Sequence, residues 1–255
     1  MEFSLIMIFI QKGLEWIRKK IYLYTSYIQY LKEFKIFRET HGKRFKVEKK
    51  DKYPCLMDKY GTTSFDKHYI YHTAWAARKL RSIIPEEHVD ISSFTYFSTL
   101  VSAFIPVRFY DFRPVPIKLE NLTCSAADIT SLPFKDNSIF SLSCMHVVEH
   151  IGLGRYGDPL DVDGDLKAIN ELKRVVCREG YILFVVPIGG EARIMFNAHR
   201  IYTYDQILGY FDGCELLEFS LIPDQSQEGI IINATKEQAD RQVYGCGCFL
   251  FKKEM

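Results

Sequence analysis

From residue 86 onward the chain alternates short apolar runs with segments of helical period, and this alternation restricts the fold more than any other feature. The runs "HVDIS" (88–92), "VRFYDF" (107–112), "NLTCSAAD" (121–128), "IFSLSCM" (139–145), "YILFVVPI" (181–188) and "YGCGCFLFKK" (244–253) have the length of strands. Between them "TYFSTLVSAF", "DLKAINELKRVV" (165–176) and "TYDQILGYF" (203–211) read as helices, the second closed by Gly180. Upstream, "HYIYHTAWAARKLRSIIP" reads as a further helix that stops at Pro85. Strands separated by helices are joined by crossovers, so they pair in parallel while the helices cover both faces. The expected fold is α/β, a Rossmann-like, doubly wound, mostly parallel sheet.

A length of 255 residues suits one sizeable domain with an extension. With 47% apolar and 25% charged residues the chain reads as globular, not disordered. Its seven cysteines (55, 124, 144, 177, 214, 246 and 248) form no C-x-x-C pair, and several lie inside apolar runs, which suits buried reduced thiols. Residues 1–50 hold 12 Lys/Arg against 5 Asp/Glu, a balance of +7; with a net charge of +1, residues 51–255 carry −6. We therefore expect a basic, amphipathic helical extension over 1–50 and a Rossmann domain over 51–255, with "KRFKVEKKDK" (43–52) as the linker.

The opening "MEFSLIMIFI" is shorter than the roughly 20 apolar residues a bilayer span needs. It also lacks the leading charge and cleavage site of a signal peptide. The segment that follows, "EWIRKKIYLYTSYIQYLKEFKIFR", mixes aromatic and basic residues. It suits either a helix lying on an anionic membrane surface or a helical hairpin packed on the body. The location expected is cytoplasmic, peripheral on the inner face of the cytoplasmic membrane.

The stretch "HVVEH" (146–150) has the letters of a zinc-peptidase motif. Such a site needs both histidines on one helical face. Here His146 follows a continuous apolar run and glycines stand at 152, 154 and 157, so the stretch leaves the end of a strand. No metal is expected from it.

Open α/β sheets bind ligands beyond the carboxyl ends of their strands. Asp90, Ser92, Ser93, Asp111, Arg113 and Asp128 should fall on that rim as ligand-binding residues, with His146, Glu149 and His150 as candidate general bases. "GLGRYGDPLD" reads as a loop closing over a ligand, with Arg155, Tyr156 and Asp158 in contact. "EARIMFNAHR" adds Arg193, Asn197, His199 and Arg200. Glycine N–H groups with Arg155 and Arg200 suit a diphosphate.

The segment "IFSLSCMHVVEHI…DLKAINELKRVVCREGYILFVVP" resembles the class I S-adenosylmethionine-dependent methyltransferases over about residues 86–190. The resemblance implies that Asp111 holds a ribose and Asp128 the adenine side, and that Cys177-Arg178-Glu179-Gly180 stands at the family's turn. The first motif departs from it. The family has a glycine-rich turn after its first strand, whereas Asp90 is followed by "ISSFTYFS". Serine and phenylalanine side chains there are expected where the methionine part of the donor would lie. Over 68–250, "WAARKL", "HVDIS", "VEHIGLGRYGDPLDVDGD", "FNAHRIY" and "YGCGCFLF" resemble a bacterial family of unknown function often encoded in surface-polysaccharide clusters.

Three readings follow. The favoured one is glycosyl transfer from a nucleotide-diphosphate sugar to a hydroxyl of a surface or lipid-linked glycan, because the missing glycines and the arginines point to an anionic donor. The second is S-adenosylmethionine-dependent O-methylation of a sugar. The third is a non-catalytic, methyltransferase-like partner in glycan assembly. The partners expected are a glycan or lipid-linked oligosaccharide acceptor and an anionic membrane surface, with no nucleic acid.

Overall fold

The computed structural model describes residues 2–40, 45, 47–59, 65–224 and 228–254, with side chains from residue 13 onward. It divides into two compact units, Met1–Phe65 and Asp66–Met255. In the first, α1 (Glu2–Thr40) is one continuous helix, so the hairpin alternative is set aside. Leu23, Tyr30 and Phe34 on α1 are partly buried. Lys52 sits 5.3 Å from the Phe34 ring and Lys59 pairs with Glu33 at 2.8 Å. Leu14, Ile17, Ile21, Tyr24 and Ile28 are exposed, and their spacing lines them up along one helical face. Of the expected linker, residues 43, 44 and 46 lie outside the described residues, and Lys49–Asp51 form one turn of 3-10 helix. Among the described residues no helix is long and apolar enough to cross a membrane.

The second unit is built on a seven-stranded sheet. Its strands are β1 (His88–Ile91), β2 (Val107–Asp111), β3 (Leu122–Ala126), β4 (Ile139–Met145), β5 (Val176–Ile188), β8 (Cys214–Ile222) and β9 (Gly245–Lys253). The spatial order is β3-β2-β1-β4-β5-β9-β8, parallel except for β9, which runs antiparallel to both its neighbours. A separate hairpin pairs β6 (Arg193–Met195) with β7 (His199–Ile201).

Helices cover both faces. On one, α2 (Lys67–Ile83) and α3 (Thr95–Val101) set Trp75, Leu80 and Phe97 in one cluster with Leu183, Val185 and Leu250. On the other, α4 (Gly164–Val175), α5 (Tyr204–Tyr210) and α6 (Lys236–Asp240) cluster Ile169, Leu172, Ile207 and Ala239 with Phe184, Phe249 and Phe251. Local chemistry sets the boundaries of α2. The Asp66 carboxylate accepts the Tyr69 N–H at its start, and Ile84 takes a left-handed conformation at its end, just before Pro85. The helix is tied to β8 through Glu218, which accepts a hydrogen bond from Trp75 Nε1 (2.8 Å) and pairs with Lys79.

The expected fold is the observed one, with local corrections. Gly180 does not close α4: the helix ends at Val175 and β5 begins at Val176. Cys177-Arg178-Glu179-Gly180 is instead a bulge inside β5, where pairing jumps from Ile139–Val176 to Ser141–Tyr181 and Glu179 adopts φ +62°. β6, β7, β8 and α6 escaped the pattern. In β8, Glu215 and Glu218 break the apolar alternation, as suits a strand at the sheet edge.

A buried polar chain joins β1 to β4 and α3. Ser143 Oγ donates to Asp90 Oδ1 (2.6 Å), and Ser98 Oγ donates to Asp90 Oδ2. Since the Ser143 proton is committed, His88 Nε2 must donate to Ser143 Oγ (2.9 Å), which leaves Nδ1 to accept from Ser141 Oγ (2.8 Å). Burial holds His88 neutral, pushing it down to about 3, and pushes Asp90 up to about 6 against the pull of its two hydroxyl donors.

Candidate functional site

The carboxyl ends of β1, β2 and β4, together with the loop after β3, surround a cavity of about 250 Å3. Ser92 and Ser93 line it from β1, Asp111 and Arg113 from β2, Asp128 and Thr130 from the loop, and His146 and His150 from beyond β4. Tyr156 and Asp158 form part of its rim. Asp111 Oδ1 accepts the Arg113 N–H (2.8 Å), and Asp128 Oδ1 accepts both the N–H and the hydroxyl of Thr130. Each short turn fixes a carboxylate at the end of its strand.

Phe94 does not occupy this cavity. Its ring packs on Tyr69 at 4.8 Å and Tyr96 at 5.4 Å, and its N–H donates to Ser92 Oγ. The absence of glycine therefore leaves the cleft open, because the bulky side chain turns toward α2. Asp90 is also away from the rim. It lies wholly buried in the polar chain beneath the cleft.

Of the residues expected around a diphosphate, several serve the protein instead. Arg200 is 6% exposed; it donates to Ile151 O (2.6 Å) and Val162 O (3.3 Å) and lies 3.5 Å from Asp165. Arg155 donates to Ala198 O (3.0 Å), and Arg193 to Val243 O (2.6 Å). Asn197 is exposed, and His199 packs on Tyr244 at 5.0 Å. None of Arg155, Arg193, Asn197, His199 and Arg200 lines the cavity. The glycine loop is likewise closed on itself. Asp158 accepts N–H groups from Gly152 (2.8 Å), Gly154 (3.3 Å) and Tyr156 (3.1 Å), so these donors are not aimed at a phosphate. Gly152 has φ +79°, and a Cβ there would stand 2.0 Å from Asp161 O.

The stretch 146–150 leaves β4 as one residue in the left-handed region, His146 at φ +55°, then a single 3-10 turn, Val148–His150. Its two histidines do not share a helical face. Instead the turn brings Glu149 under His146, whose Nδ1–H donates to Glu149 Oε1 (2.8 Å). Glu149 is 1% exposed, and its Oε2 has no hydrogen-bond partner among the described residues. His150 Nδ1–H donates to Ala198 O (2.6 Å), and its Nε2 lies 3.9 Å from Glu149 Oε1.

Three neighbours were not singled out from the sequence. His68 and His72 of α2 pack on His146, with ring centroids at 5.6 and 5.1 Å, and Cys246 Sγ lies 3.4 Å from His146 Nε2. Burial, then the nearby His146, pushes His68 down to about 4 and His72 well below the usual histidine range. The i, i+4 pair of histidines opening α2 was the available signal.

The sheet order and the cleft at its carboxyl end define a class I methyltransferase-like Rossmann fold. Three solved structures share it. NodS, an N-methyltransferase from Bradyrhizobium japonicum WM9 in complex with S-adenosyl-L-homocysteine, is 12% identical over 79% of this chain and 92% of its own, with a TM-score of 0.52. The 1,6-didemethyltoxoflavin-N1-methyltransferase of Burkholderia thailandensis, with 1,6-didemethyltoxoflavin and S-adenosylhomocysteine bound, is 10% identical over 72% and 79%, with a TM-score of 0.52. A chain from the Haloferax volcanii complex of the Trm112 methyltransferase activator is 16% identical over 74% and 91%, with a TM-score of 0.51. Residues 133–246 match the family DUF268, described as Caenorhabditis protein of unknown function. No curated protein matches the chain in sequence.

The expectation of glycosyl transfer from a nucleotide-diphosphate sugar is corrected by these findings. NodS and the Burkholderia thailandensis enzyme, which share the fold, are methyltransferases. The two premises of that expectation also meet a different structure: Phe94 turns away from the cleft, and Arg155 and Arg200 donate to backbone carbonyls.

Proposed function

We propose that this protein transfers a methyl group from S-adenosylmethionine to a hydroxyl of a sugar-containing acceptor. The observation that carries the reading is the pair of carboxylates, Asp111 and Asp128, lining one cleft at the ends of adjacent strands β2 and β3. Asp111 would hold the ribose hydroxyls, Asp128 the adenine side, and Ser92 and Ser93 the methionine end. When bound, the donor supplies a methyl group already activated for displacement. The chain itself must orient the acceptor and take up its proton. His150, on the cleft wall, supports that second role. The sugar acceptor rests on the resemblance over 68–250 to a family linked to surface polysaccharide. The exposed apolar face of α1, flanked by Arg18, Lys19, Lys20 and Lys32, supports work at an anionic lipid surface.

Calorimetric titration tests the donor. S-adenosylhomocysteine is expected to bind the wild type at one equivalent, and Asp111→Ala to weaken it. Absence of S-adenosylhomocysteine binding to folded wild-type protein would refute the reading.

A further inference from the structure

We propose that His68, His146 and Cys246 form a binding site for a soft divalent cation of the zinc class. The potential ligand atoms of these three side chains all lie within 4.8 Å of one another. A tetrahedral ion bonded at about 2.0–2.3 Å holds two nitrogens and one sulfur roughly 3.3–3.6 Å apart, so the triangle closes by about 1.2–1.5 Å at its widest edge. His146 Nε2 and Cys246 Sγ, at 3.4 Å, already have the required separation. The adjustment falls on His68, the least buried of the three.

A second observation points the same way. A metal-bound imidazole commonly gives its other N–H to a carboxylate, which fixes the tautomer that coordinates. His146 does so: Nδ1–H donates to the buried Glu149, and Nε2 is left facing Cys246. The second oxygen of Glu149 is buried without a hydrogen-bond partner among the described residues, and a cation on His146 would offset the cost of burying that carboxylate. The backbone supports the same aim. His146 adopts φ +55°, a conformation uncommon for a side-chain-bearing residue, and it directs the ring between α2 and β9.

The alternative use of a Cys–His pair, a thiolate nucleophile, does not suit this place. Cys246 is fully buried, so its sulfur is closed to an incoming substrate. As a ligand it needs no such access, because a thiol bound to a metal is deprotonated outright. Three protein ligands leave a fourth position for water or a substrate heteroatom, the pattern of catalytic rather than purely structural zinc. Of the three side chains, only His146 also lines the cleft. The inference stands independently of methyl transfer, since the ligand atoms and Glu149 would hold a cation whatever donor the cleft takes.

The test is metal binding by the full-length, reduced protein, using Zn(II) against a competing chelator and Co(II) as a spectroscopic probe. The expected result is one tightly held Zn(II) and a tetrahedral Co(II) spectrum with a thiolate charge-transfer band. Cys246→Ser should abolish that band, and His68→Ala should weaken Zn(II) binding. Glu149→Gln, which retains the shape but not the charge, should lower affinity by about 10–100-fold. Cys55→Ser, at an exposed cysteine, should change nothing. Circular dichroism of each variant separates loss of ligand from loss of fold. Wild-type protein that takes up no Zn(II), or that keeps its stoichiometry and charge-transfer band in a folded Cys246→Ser variant, overturns the proposal.

Discussion

Asp111 and Asp90 both end or approach the end of a strand, yet their surroundings give them opposite tasks. Asp111 meets the cleft, so Asp111→Ala should weaken S-adenosylhomocysteine binding by about 1.5–3 kcal/mol, the range of a charged hydrogen bond, as read by calorimetry. Asp90 is buried with only Ser98 and Ser143 to offset desolvation, and burial lifts it to about 6 in the folded state. Between about pH 4 and pH 6 the unfolded chain has released this proton while the folded chain keeps it. This group therefore favours the folded state at acid pH and costs stability as pH rises through 6, by about 2–3 kcal/mol across the window. Urea unfolding at a series of pH values should show the wild type gaining on Asp90→Asn as pH falls from 6.5 to 4.5; a constant difference would refute the assignment. The sequence showed Asp111, Asp128 and His146 as candidates because each follows an apolar run. It could not show Arg200 as internal: in "FNAHR" it reads as charge meeting a diphosphate at the cleft, and only folding brings the carbonyls of Ile151 and Val162 to it.

At the scale of elements, the loop between β4 and α4 is held by its own contacts. Gly152 packs against Asp161 O, and Asp158 gathers three N–H groups. Gly152→Ala would add a left-handed penalty of about 1–2 kcal/mol to a direct clash with Asp161 O. The variant should melt several degrees lower and bind S-adenosylhomocysteine more weakly, since the displaced loop carries Tyr156 and Asp158 of the cleft rim. Unchanged melting and binding would mean that this close packing is not required. Strands with continuous apolar runs, such as β4 and β5, were legible. β8 was not, because an edge strand tolerates charge, and its Glu218 is retained to anchor Trp75 and Lys79. The grouping of His68, His146 and Cys246 was hidden for a different reason: they come from α2, the end of β4 and β9, and no sequence period links them.

At the scale of the whole molecule, charge and apolar exposure converge on α1. If its exposed stripe meets an anionic bilayer, the full chain should co-sediment with vesicles rich in phosphatidylserine at low salt and be released as ionic strength rises. Ile17→Asp together with Ile21→Asp should abolish attachment without altering the melting of the Rossmann unit. Attachment that survives both high salt and these substitutions would exclude this face as the contact. The other whole-molecule feature is the position of β9, which follows every other strand among the described residues but lies between β5 and β8 in the sheet. A nascent chain that has emerged only as far as Tyr244 already holds every strand end of the cleft. It also presents β5 and β8 with unpaired backbone edges at the middle of an unfinished sheet, and such edges are templates for neighbouring chains. Synthesis of this protein therefore passes through an interval of exposure to aggregation, which closes only when β9 inserts.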